Sequence, residues 1–138
     1  MTIKITNNSR IVFRVGKILE KKQVAFEKAM IDEVAEIAIR TLSGTDVEGK
    51  PFEPYTPKYA EFRKKKGRTA GLPNLSFTGN MLAAMRARFE KRPGRLTGII
   101  GFLDTKERKK ALGNQEHRNW FGLPRQRIDA IINKIKEA

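Results

Sequence analysis

Few residues of this chain have types that could do chemistry. The single histidine, His117, stands three positions before the single tryptophan, Trp120, in the stretch GNQEHRNWFGLPRQRIDAIINKI (113–135). An imidazole between Glu116 and Asn119 is the raw material of a general base. A metal centre would need several ligands of compatible geometry, and with no cysteine in the chain only carboxylates could join the one imidazole. The run His117-Arg118-Asn119 matches part of a His-Asn-His nuclease pattern, but the second histidine is missing. No nucleophile-elbow pattern occurs, and GRTAG (67–71) lacks the Lys-Ser/Thr ending of a phosphate-binding loop. The expectation is a chain with no catalytic residue, no cofactor and no metal, hence not an enzyme, with His117 at a surface or interface.

Charge is the stronger signal. Lysine and arginine number 29 against 15 acidic residues, a net charge of +14. Such an excess points to a polyanion or an acidic protein as partner. The positives cluster: Lys58, Arg63, Lys64, Lys65, Lys66 and Arg68; then Arg86, Arg88, Lys91, Arg92 and Arg95; then Lys106, Arg108, Lys109 and Lys110. Arg63 to Arg68, with Arg86 and Arg88, are the candidates to face that partner. Lysine and arginine contacts to phosphates carry no base information, so contact with DNA there would be nonspecific. An acidic protein surface fits equally well.

The elements that must position these residues follow from period and punctuation. At 138 residues the chain has the length of a single domain, 1–138. Residues 2–6 and 11–15 read as a short strand pair around the turn signal Asn7-Asn8-Ser9-Arg10. From Ile18 to Leu42 the period becomes helical, with Phe26, Met30, Val34, Ala38 and Leu42 stepping by four and Ile31, Ala35 and Ile37 beside them. Glu27, Lys28, Asp32, Glu33 and Glu36 fall mainly on the other side. Ser43-Gly44 ends the helix.

Residues 44–76 form a long segment rich in proline, glycine and aromatic residues, with Thr56-Pro57 able to open a short helix over 57–66. It reads as an extended arm used in assembly, with Phe52, Tyr55, Tyr59 and Phe62 as its contact residues. A helical turn from Thr78, a hairpin about Pro93-Gly94 and a charged helix from Thr105 to Gly113 follow. Trp120 and Phe121 then pack where the chain turns into a last helix carrying Ile128, Ile131, Ile132 and Ile135. Trp120 is also an interface candidate, an exposed base-stacking platform being the alternative. The sum is an α+β fold: a small, mostly antiparallel sheet packed by a long N-terminal helix and a C-terminal helix. The opening residues lack the apolar core of a signal peptide, and no run is long enough to span a membrane.

Three blocks in order carry a resemblance. GKPFEPYTPKYAEFRKKKG (49–67), LSFTGNMLAAM (75–85) and RNWFGLPRQRIDAIINKI (118–135) resemble the phage virion morphogenesis and tail-completion proteins, small neck proteins between the capsid connector and the tail. Gly49, Phe52, Pro54, Pro57 and Tyr59 fit the first block. Leu75, Thr78, Gly79 and Met81 fit the second, and Arg118, Phe121, Gly122, Leu123, Ile128 and Ile132 the third.

The resemblance implies a non-enzymatic virion protein of a tailed phage, acting in tail completion or head–tail joining. It implies a homo-oligomeric ring, hexameric or dodecameric, touching portal-side connector and tail proteins and in nonspecific contact with genomic DNA. Such a protein is assembled in the host cytoplasm, resides in the virion neck and has no membrane partner. The alternative of a different class is a basic nucleic-acid-binding module, which the lack of an RNP motif, zinc knuckle or clear recognition helix disfavours. His117→Ala is expected to leave melting temperature and assembly near wild type. A hydrolytic activity that disappears in that variant would overturn the non-enzymatic reading.

Overall fold

The computed structural model describes residues 3–7, 10–68, 80–103, 105–117 and 119–138. The elements run β1 (Ile3–Asn7), β2 (Ile11–Gly16), α1 (Glu20–Leu42), α2 (Pro57–Lys65), α3 (Asn80–Ala83), β3 (Met85–Arg92), β4 (Arg95–Phe102), α4 (Thr105–His117) and α5 (Arg125–Glu137). The four strands form one antiparallel sheet in the order β1-β2-β4-β3. The α+β architecture expected from the sequence is the one found. The hairpin turns at Pro93-Gly94, and α2 is opened by Thr56, whose hydroxyl accepts from Tyr59 N at 3.3 Å. The turn residues Asn8 and Ser9 lie outside the described residues, as do Leu75, Thr78 and Gly79.

Strand alternation decides which face α1 covers. One cross-sheet row is Ile5, Phe13, Gly98 and Phe89. Phe26 of α1 sits over it, with ring centroids 6.1 Å from Phe13 and 6.0 Å from Phe89. Gly98 is what admits the helix this closely: a Cβ there would stand 2.7 Å from Phe26 Cζ and 3.1 Å from Met30 Cε. Ile11, Val15, Met85, Leu96 and Ile100 complete the buried face. The other face carries Val12, Arg14, Thr97, Ile99, Arg86 and Arg88.

The buried stripe of α1 differs from the one read by stepping in fours. It consists of Phe26, Ala29, Met30, Glu33, Ile37 and Thr41, while Ile31 and Leu42 are exposed. The reason is geometric. Four residues exceed the ~3.6 of a turn, so each step of four rotates the stripe about 40°. By Leu42 it has left the face that Phe26 occupies.

Glu33, expected on the polar side, is buried because α5 lies there. Arg127 donates from Nε to Glu33 Oε1 at 2.7 Å, and from Nη2 to the same oxygen. That hydrogen bond raises the affinity of Arg127 for its proton above the ordinary arginine level. The contribution is therefore present below the ordinary arginine pKa and lost only as pH rises beyond it. Ile128, Ile131 and Ile135 close the same interface, as the spacing predicts.

Arg40, near the end of α1, donates from Nη2 to the carbonyls of Trp120 (2.6 Å) and Gly122 (3.1 Å). Burial pulls its pKa down, and Glu33 and Asp46 nearby oppose that shift. Gly122 holds φ at 148°, a region that favours glycine, and this lets the turn present both carbonyls to one guanidinium. α4 continues past Gly113, where the sequence reading ended it, to His117.

Gly98→Ala is expected to destabilise the fold by about 1–3 kcal/mol, since Phe26 and Met30 are fully buried and must move. A urea midpoint equal to wild type would show that α1 does not seat on β4 as described.

Candidate interaction surface

The sheet face turned away from α1 holds a strongly basic concavity. Arg86 and Arg88 project from β3 by the same alternation that sends Ala87 and Phe89 inward. On β2 the register sets Val12 opposite Ile99, and Ile99 opposite Arg88. Val12 and Ile99 are 4% and 6% exposed although they lie on this outer face, so it has an apolar floor rather than an open polar plain. Arg10, Arg86, Arg88 and Arg108 stand around a groove of about 450 Å³ with Ile99 and Gly101 below and the exposed Leu103 at its lip.

The four arginines are held differently. Arg86 donates to the carbonyls of Ala83 (2.5 Å) and Met85 (2.8 Å), which fixes its head at the start of β3. Among the described residues neither Arg88 nor Arg108 makes an ion pair. A groove with converging guanidinium donors and an apolar base suits an anion attached to a less polar body, whether a nucleic-acid backbone or a carboxylate-bearing protein segment. Arg10 was not singled out in the sequence. The signal was there: Arg10, Val12 and Arg14 share one parity of β2.

The second candidate surface, the 44–76 segment, divides into parts. Residues 44–52 are not a free arm. Asp46 Oδ1 accepts from Glu48 N and Lys50 N, both at 2.9 Å, and Asp46 N donates to Lys50 O at 2.8 Å. Val47 N donates to Asn119 O, and Phe52 N to Gly44 O, both at 2.9 Å. Phe52, taken from sequence as an interface residue, belongs to the core at 3% exposure. The arm reading fails there because a compact hydrogen-bonded turn carries its aromatic residue inward. Residues 69–76 lie outside the described residues.

The remaining aromatics form a shelf on α2. Tyr55 and Tyr59 meet edge-to-face with centroids 5.1 Å apart, and Tyr59 stacks on Phe62 at 6.0 Å. Tyr59 and Phe62 are exposed. Arg63 does not face outward: it is 2% exposed, with its guanidinium 4.8 Å from the centre of the Tyr55 ring. This removes it from the partner-facing set, because a cation–π contact and burial commit its charge to the shelf's own stability. Lys64, Lys65, Lys66 and Arg68 are exposed, with Lys66 Nζ 5.8 Å from the Phe62 ring.

Trp120 is likewise corrected as an interface residue. It is fully buried, its indole N–H donates to Ala111 O at 3.2 Å, and Phe102 and Phe121 pack on it. Gln115 Oε1 accepts from Trp120 N and Phe121 N, which ties α4 to the turn. The side chain of His117 lies outside the described residues, as does Arg118. Among the described residues no group of three or more His, Cys, Asp or Glu is placed to hold a metal ion, and no helix is long and apolar enough to cross a membrane.

Comparison with protein families, with curated proteins and with solved structures finds no match for this chain.

The groove yields a direct expectation. Arg88→Glu with Arg108→Glu should weaken binding to a generic polyanion such as heparin, and flatten its salt dependence by about two charges. If the retention is unchanged while Lys64→Glu with Lys65→Glu reduces it, α2 and not the sheet is the polyanion surface.

Proposed function

We propose that this chain is a structural virion protein of a tailed phage, a ring-forming subunit at the neck that completes the tail or joins it to the head. The observation that carries this reading is the meeting of two of the family-like blocks far apart in sequence. The turn that leads into the first block is bonded to the turn of the third through Val47 N and Asn119 O, at the end of α1. The residues fitting those blocks have roles that explain their types. Gly49 and Gly122 hold positive φ at 82° and 148°. Phe52, Phe121, Leu123 and Ile128 are buried in one core. The blocks thus describe a single folding unit, which is what a shared family pattern demands.

The surface supports the same reading. An assembly subunit must meet unlike neighbours, and this one leaves two unlike patches open: the arginine groove on the sheet and the aromatic, lysine-tipped shelf on α2. In the neck, the groove faces acidic protein of the connector or tail, or the DNA that passes through. The second reading, a basic nucleic-acid-binding module, is favoured by the groove alone. It lacks support from base-stacking aromatics, since the outer sheet face carries Val12, Thr97 and Ile99 where such rings would sit.

The test is complementation. Cells infected with a phage deleted for this chain should accumulate filled heads and separate tails, and the purified protein added to that lysate should restore joined, infectious particles. Normal particles without the chain would overturn the proposal. So would a protein that stays monomeric, binds DNA with a steep salt dependence and restores nothing.

A further inference from the structure

A second concavity, of about 390 Å³, opens between α1, the 46–49 turn and the start of α5. Glu33, Glu36, Glu48, Arg40, Arg125 and Arg127 line it. These charges are not equally available. Arg127 is bound to Glu33 Oε1. The Nη2 of Arg40 is held by two backbone carbonyls, and Arg125 pairs with Asp129 at 3.1 Å. Two buried groups at the cleft lack a hydrogen-bond partner among the described residues, the donor Arg40 Nε and one acceptor. The Glu33 side chain is 2% exposed, and its Oε2 is buried with no hydrogen-bond partner. Glu36 is exposed at the rim, and Glu48 meets only the exposed Lys50 at 3.4 Å. Glu36 and Glu48 are therefore the carboxylates that a cation arriving from outside can reach.

The chain itself carries the complementary group. Residues 20–53 hold eight acidic and five basic residues, whereas residues 54–110 hold fifteen basic and four acidic. A chain divided in this way can pair head to tail with a second copy of itself, and repeated heterologous contacts of that kind give a ring where the rotation between copies closes. At the tip of α2, Lys64 and Lys65 are exposed and make no ion pair among the described residues. Beside them Tyr59 and Phe62 are 40% and 43% exposed, apolar area that the half-buried Val47 and Pro124 of the cleft can cover.

We infer that the cleft is the socket for the α2 tip of a second copy of this chain, with the ammoniums of the Lys64-Lys65 pair meeting the exposed carboxylates of Glu36 and Glu48 at its rim. The inference rests on the ring-forming reading above and names the contact that would build the ring.

Two charge-reversed proteins test it. One carries Glu36→Lys and Glu48→Lys, the other Lys64→Glu and Lys65→Glu; all four sites are exposed, and equal thermal melts would show both folds intact. Like charges set face to face cost several kcal/mol, so each protein alone should self-associate at least about tenfold more weakly than wild type in sedimentation. Their equimolar mixture should assemble again, because each then offers the other a matching charge. Since the chain has no cysteine, Glu36→Cys mixed with Lys65→Cys should also give a disulfide-linked dimer on oxidation. Assembly of each variant alone at wild-type strength, or failure of the mixture, would overturn the socket and leave the ring reading standing. A wild-type chain that neither self-associates nor joins heads to tails would remove both.

Discussion

Two arginines bind the C-terminal part of this chain to its first long helix, and the rest of the structure depends on them. The turn at 119–123 has no ladder or helix of its own to satisfy its carbonyls. Arg40 reaches from α1 to the oxygens of Trp120 and Gly122, giving both a charged donor in a place largely shut off from water. Arg127 returns the tie from α5 to Glu33. With these bonds in place Trp120 can sit between Ala111 and Phe102, closing α4 and β4 over the core. They also bring the 46–49 turn beside the start of α5. An ion pair with one partner buried and the other half-buried gives little net stability, because desolvation of Glu33 consumes most of its attraction. Breaking it by removing one partner is costly. Its role is to fix which surfaces meet.

The consequence for the surface is a separation of charge. Glu33, Glu36 and Glu48 share the cleft between α1 and α5 with three arginines, whereas cations gather with few carboxylates on the outer sheet face and on α2. Apolar area is exposed on the Tyr59–Phe62 shelf and on α1 at Val24, Ile31 and Ile39. A large single-sign field would repel a second copy, whereas a divided one aligns copies in one direction. That is a physical route to a closed ring for a protein whose net charge is +14.

Much of the fold was legible in the sequence because its signals are local. The hairpin over 85–102 shows in the alternation of Arg86, Arg88 and Glu90 with Ala87 and Phe89, and α5 shows in four isoleucines at helical spacing. Other features depend on residues far away. Glu33 reads as a solvent-facing charge until Arg127 arrives from 94 positions along the chain. Arg63 sits inside a run of exposed lysines, and its burial against Tyr55 and Tyr59 sets it apart. Phe52 looks like part of an arm because proline and glycine surround it. What turns it inward is the Asp46 bond network with Asn119 behind it, which no local pattern announces. The stripe on α1 was misplaced for a purely geometric reason, the gap between a step of four and a turn of 3.6.

Imaging addresses the central claim most directly. In electron micrographs of purified particles carrying a gold-labelled antibody to this chain, the account predicts one compact cluster of label per particle, at the junction of head and tail. Label spread over released DNA, or particles that carry none of the protein, would contradict it.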